Sequence, residues 1–168
     1  MADGSAARIL TLSQAMETLS LCRTMEDVAR EVRTAARALT GADGITVVLR
    51  EARMVRYIDE DAIAPLWKGR AFPIGQCISG LAMLGRETIV IEDTAADSRV
   101  PHELYADTFV RSMAMAPVRK SEPVAAIGAY WAVPRTPHDV EIACLEGMAQ
   151  AASVAIEMMS LRTALAER

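Results

Sequence analysis

Beyond Pro137 the chain contains no further proline and a single glycine, Gly147, and apolar residues recur at helical spacing as far as Arg168. Such a stretch reads as one helix roughly 45 Å long at about 1.5 Å per residue. Thr136 offers its N-cap, Pro137 suits the first helical position, and Asp139 falls at the third. A chain of 168 residues makes one domain with one core. A helix of that length outruns any sheet such a domain holds, so its far end is left uncovered. Val154, Met158, Leu161 and Leu165 are spaced four, three and four residues apart, a heptad seam running into that end.

The opposite terminus is helical as well. Ile9, Leu12, Met16 and Leu19 share one face of a helix over residues 6–21. A second helix follows, capped by Thr24, with Asp27 at its third position and Gly41 at its end; Val28, Val32, Ala35 and Leu39 form its apolar face. The period then shortens. Strands are expected at Gly44–Arg50, Met54–Ile58, Thr88–Glu92, Met113–Val118 and Val124–Val133. Residues 59–77 read as irregular, broken by Pro65, Gly69, Pro73 and Gly75, and short helices are expected at Ser79–Leu84, closed by Gly85, and at His102–Phe109. Short links between neighbouring strands favour an antiparallel sheet. The terminal helices cover one face and the middle segment covers the other.

With the elements in this order, the chain resembles the GAF family of small-molecule sensory domains over about Met25 to Glu157. The resemblance is carried by Phe72-Pro73-Ile74-Gly75, Ile78-Ser79-Gly80-Leu81-Ala82, Ile89-Val90-Ile91-Glu92-Asp93-Thr94, Asp97-Ser98-Arg99-Val100-Pro101, Phe109-Val110-Arg111-Ser112-Met113, Ala116-Pro117-Val118 and Ala126-Ile127-Gly128-Ala129-Tyr130-Trp131, by their order and spacing together. It is strongest toward the GAF domains of bacterial sensor histidine kinases. It implies an α+β fold with a six-stranded antiparallel sheet and helices on both faces. It also implies a ligand pocket between the sheet and residues 59–112. On that basis residues 1–22 form an N-terminal dimerisation helix, 23–157 the sensory domain, and 158–168 the start of a signalling helix.

Composition narrows the partners. The net charge is −4 and the isoelectric point about 5.3, which provides no excess of Lys and Arg for phosphates or for an anionic membrane surface. The N-terminus has no basic and apolar leader pattern, and the apolar run Val124–Pro134 is too short to span a bilayer, so a cytoplasmic location is expected. Cys22, Cys77 and Cys144 lie far apart with no CxxC pair, so they read as buried thiols and not as zinc ligands. No HExxH, GxSxG or P-loop motif is present, nor a kinase phospho-acceptor or ATP motif, so this chain is not expected to be an enzyme.

The expected ligand-binding set is Trp67, Asp93, Arg99, His102, Tyr105, Phe109 and Met115, with Trp131 a further aromatic candidate. Tyr and Trp give an apolar face with one polar handle, and Arg99 suits a carboxylate or phosphate. Against this stands a loop in which Arg99 pairs with Asp97 or Asp93. No cofactor is expected. Some GAF relatives hold a linear tetrapyrrole through a cysteine just before a histidine, and no cysteine precedes His102. The signature of cyclic-nucleotide binders is missing too. One enzymatic branch reduces free methionine sulfoxide with clustered thiols; here Cys77 is the one pocket candidate for such chemistry.

The resulting expectation is a sensory domain that binds an unidentified small molecule, forms a homodimer through Ile9, Leu12, Met16, Leu19, Val154, Met158, Leu161 and Leu165, and passes its state to an output domain such as a kinase. A small thiol-dependent redox enzyme and a ligand-free dimerising spacer are the alternatives.

Overall fold

The computed structural model describes residues 2–168, so Met1 of the expected N-terminal helix lies outside it. The order is α1 (Ala2–Leu21), α2 (Met25–Thr40), β1 (Gly44–Glu51), β2 (Met54–Ala62), β3 (Ala71–Pro73), α3 (Ile78–Gly85), β4 (Ile89–Ile91), α4 (His102–Tyr105), β5 (Ser112–Val118), β6 (Ala125–Trp131) and α5 (Asp139–Ala166). The strands form one six-stranded sheet in the order β3-β2-β1-β6-β5-β4, with every neighbouring pair antiparallel. This is the α+β architecture expected from the sequence.

Strand alternation divides the interior in two. Ile45, Val47, Ala114, Ala116, Ile127, Ala129 and Trp131 face α1, α2 and α5. Val48, Val55, Tyr57, Met113, Met115, Ala126 and Tyr130 face α3, α4 and the loops between 63 and 112. α2 begins as expected: the Asp27 amide donates to Thr24 Oγ1 at 3.1 Å, and Gly41 closes it in the left-handed conformation at φ 65°. Arg33 and Arg37 then pair with Asp59 and Asp61, which fixes α2 along β2.

α1 packs mainly on α2 and α5, outside the layer those helices form on the sheet. Leu12 lies over Gly147, where the missing side chain lets the helices approach. Arg162 of α5 donates to the carbonyls of Ser20 and Cys22, partnering acceptors at an α1 end that has no basic residue of its own.

Several boundaries differ from expectation. β2 runs four residues further than Ile58, to Ala62, and β3 lies inside the stretch read as irregular, pairing Phe72 with Val55. The helix read over His102–Phe109 is confined to α4. Arg86, not Gly85, holds the left-handed position after α3. α5 starts behind His138 and not behind Thr136. The Glu141 carboxylate accepts the His138 amide at 2.7 Å and also pairs with Arg135, a reach that Asp139, one methylene shorter, does not have. α5 is also long and apolar enough by composition to span a bilayer, with a mean hydropathy of 1.2 over its best window. Cys144, Leu145, Met148, Ala149, Ala152 and Ala155 of that helix are buried in the domain core.

Candidate functional site

The lid face of the sheet is where a ligand pocket was expected, and rings fill it. Trp67 is 1% exposed. Its indole meets the rings of Tyr105 at 4.7 Å, Tyr57 at 5.5 Å and Tyr130 at 5.7 Å, mostly tilted or edge-on. Tyr57 also meets Phe72 edge-on. Met115 is wholly buried in the same cluster and Phe109 packs at its margin against Gly44. Trp67, Tyr105, Phe109 and Met115 are thus brought together as expected, but against one another and not around an open cavity. Trp131 faces the helices instead, under the Arg135 guanidinium, because it is one residue out of phase with Tyr130.

A chain of polar side chains runs through this apolar face. The Tyr130 hydroxyl lies 2.8 Å from Thr46 Oγ1, the Tyr57 hydroxyl 3.2 Å from Ser79 Oγ, and Ser79 Oγ 3.3 Å from Cys77 Sγ. Gly128 makes the first contact possible, since a Cβ there would stand 2.5 Å from the Tyr130 oxygen and 2.8 Å from that of Thr46. Burial pushes the phenols of Tyr57, Tyr105 and Tyr130 above their ordinary value, so all three stay protonated and able to donate. Sequence reasoning missed this set because Thr46 and Tyr130 are 84 residues apart. The available signal was Gly128, two residues before Tyr130 in a strand that is otherwise large or methyl-bearing.

The polar candidates lie outside this cluster. Arg99 grips Asp97 through two nitrogens, at 2.7 and 3.0 Å, and donates to the Val90 carbonyl. That pair holds the Asp97 carboxyl below its ordinary range and the Arg99 guanidinium above its own. His102 is exposed and its Nε2 lies 3.0 Å from the Thr94 carbonyl oxygen, while Asp93 accepts the Ala95 amide. Asp93, Arg99 and His102 thus each brace the 93–102 loop through its backbone or through Asp97. An open cleft of about 480 Å³ lies alongside, between Trp67 and α4, with Arg70, Glu103 and Asp107 among its lining residues.

The thiols do not meet. Cys77 lies on the lid face, while Cys22 and Cys144 lie in the helix-side core. Burial raises both of the latter. Among the described residues no three His, Cys, Asp or Glu side chains stand together to hold a metal ion.

The helix stripe is split. Ile9, Met16, Val154, Met158, Leu161 and Leu165 are exposed, whereas Leu19 is 2% exposed and Leu12 is half-buried. Leu19 is therefore a core residue of this chain and not a free interface residue, because α1 folds back along α5. A groove of about 380 Å³ between the two helices is lined by Leu12, Met16, Ala151, Val154 and Met158.

Fold and site together define an antiparallel-sheet domain with helices on one face and a lid on the other. The chain belongs to the GAF domain family, whose profile matches residues 22–157. The GAF domain of an Acinetobacter phosphoenolpyruvate-protein phosphotransferase superposes with a TM-score of 0.79 at 13% identity, covering 92% of this chain and 95% of that one. A free methionine-R-sulfoxide reductase from Neisseria meningitidis, in complex with its substrate, gives 0.79 at 14% identity over 94% and 92%. The GAF-B domain of DevS from Mycobacterium smegmatis gives 0.68 at 20% over 82% and 96%. At these identities the likeness is one of fold. Among curated proteins, none matches by sequence.

Proposed function

We propose that this chain is the sensory domain of a cytoplasmic bacterial signal-transduction protein, a histidine kinase foremost. In this reading it binds a small molecule under the lid and works as a homodimer through α1 and α5, with α5 passing the ligand's effect to an output domain. One observation carries the reading: a single sheet has an aromatic, hydroxyl-bearing face under irregular chain and a second face bearing a helix that ends in an exposed apolar stripe. Val154, Met158, Leu161 and Leu165 are 65%, 42%, 51% and 68% exposed, and such a stripe marks an interface. The domain is read as non-catalytic. Sulfoxide reduction by thiols needs a second sulfur to resolve the first, and the sheet separates Cys77 from Cys22 and Cys144.

Light scattering of the whole chain at tens of micromolar tests the assembly. A dimer that Leu161→Glu converts to monomer is the expected result; a monomer unchanged by that substitution overturns the relay route. Native mass spectrometry of the purified protein, followed by extraction, tests for the small molecule.

A further inference from the structure

Trp67 occupies the centre of the lid face but belongs to no helix or strand; its indole Nε1 donates to the Leu104 carbonyl of α4 at 3.4 Å. Its loop runs between β2 and β3, with Pro65 on one side and Gly69, at φ 88°, on the other. The loop is tied to β2 by the Gly69 amide, which donates to the Tyr57 carbonyl at 2.8 Å, and around Trp67 itself by a carboxylate. Glu60 accepts the Leu66 amide on one oxygen and the Lys68 amide on the other, both at 2.8 Å, so the residues on either side of Trp67 hang from one side chain. The Lys68 ammonium reaches Asp59 at 3.2 Å, and the other oxygen of Asp59 takes Arg33 Nε at 2.7 Å. The loop that carries Trp67 is thereby joined to α2 through one shared carboxylate.

We propose that Trp67 is a plug, latched by Glu60, whose place is taken by a flat aromatic ligand, and that its release is felt in α2 through Lys68, Asp59 and Arg33. The proposal rests on the sensory reading above and names the ligand class and the gate. The indole touches three phenol rings, and its departure leaves a slot bounded by Tyr57, Tyr105 and Tyr130, with Ser79 and Thr46 as hydroxyl partners of two of them. An empty slot of that size is costly. The open state is therefore a minor one until a molecule of similar shape fills it: a planar ring of about indole size, with a polar group to meet a phenol hydroxyl. When Lys68 leaves with the loop, Asp59 keeps Arg33 but loses its second cation, so the middle of α2 is no longer joined to the loop.

The experiment is fluorine NMR on the whole chain labelled with 5-fluorotryptophan, with the Trp67 signal assigned by Trp131→Phe, and hydrogen exchange read in parallel. Glu60→Gln removes the charged acceptor of both amides and is expected to raise the open fraction of Trp67 roughly tenfold. Added indole is expected to shift the signal further and to speed exchange in residues 25–40 while β6 stays protected. In Asp59→Asn the Trp67 signal still answers indole but residues 25–40 no longer do. The gate is overturned if Glu60→Gln leaves the signal unchanged, or if Trp67 opens only together with β6. A gate that opens without binding indole overturns the ligand class, and a chain that is monomeric by light scattering removes the relay without touching the gate.

Discussion

The two faces of the sheet are made of different material. Half of the buried residues on the helix side are alanine, whereas the lid side has only Ala82 and Ala126 among its rings, methionines and branched chains. Small residues let α2 and α5 lie close to the strands, and the polar groups buried there, Thr40 and Glu141, are bonded locally to the Ala36 carbonyl and to Arg135. The lid side buries three phenols, an indole, a thiol and two hydroxyls: Tyr130 meets Thr46, Tyr57 and Cys77 meet Ser79, the Tyr105 hydroxyl meets Met113 Sδ and the indole donates to the Leu104 carbonyl. One face is built for close approach of regular elements. The other is built from rings and polar groups that meet one another side chain to side chain.

Substitutions can break that contrast. Trp67→Ala should cost about 3–5 kcal/mol in urea unfolding, with part of the loss recovered by indole; no recovery would mean that the lid side closes up like ordinary core. Ala36→Leu, fully buried on the helix side, should cost about 1–3 kcal/mol through overpacking, and no small molecule should restore it. Within the lid, Tyr130→Phe leaves Thr46 with no other side-chain partner and should cost about 1–3 kcal/mol, against about 0.5–1.5 for Tyr57→Phe, after which Ser79 still has Cys77. Equal losses would show that the hydroxyls act as packing alone.

The smallest effect is electrostatic. Burial alone would raise Asp59, but hydrogen bonds from Arg33 and Lys68 outweigh it and hold the carboxyl below its ordinary value of 3.8. Glu141 on the helix side is likewise held below 4.5 by Arg135 and the His138 amide, against its burial. A depressed carboxylate stabilises above its unfolded value and ceases to do so as pH falls through the folded one. Stability should therefore fall off in acid below these values, and Asp59→Asn should flatten the lid-side share of that loss, seen as a smaller pH dependence of Trp67 exposure.

Much of the fold was legible because local rules and the global fold agree. Thr24 and Gly41 bound α2, and β-branched runs mark β1 and β4. β3 was not legible, since three residues ending in Pro73 give no alternation and owe their extended form to β2. The start of α5 was misplaced because Thr136-Pro137 carries a genuine cap signature, which the longer reach of Glu141 overrides. Of the site, sequence found the buried side chains Trp67, Tyr105 and Met115 but not their closure on one another, which depends on side-chain angles that no spacing encodes. The polar residues Asp93, Arg99 and His102 were read as a binding set; their loop uses them up, since a short polar loop satisfies its own backbone first.

The sheet's two outermost strands, β3 and β4, are three residues each. A strand recruits another chain through a row of free amides and carbonyls. Here one edge contains Pro73, which has no amide to offer, and on the other the Val90 carbonyl is already taken by Arg99. Copies of this domain therefore have little to gain by zipping edge to edge. In the proposed homodimer association falls to the helices, where each copy buries its stripe against the other's, so crowding many copies together in a cell should yield closed pairs and not fibres.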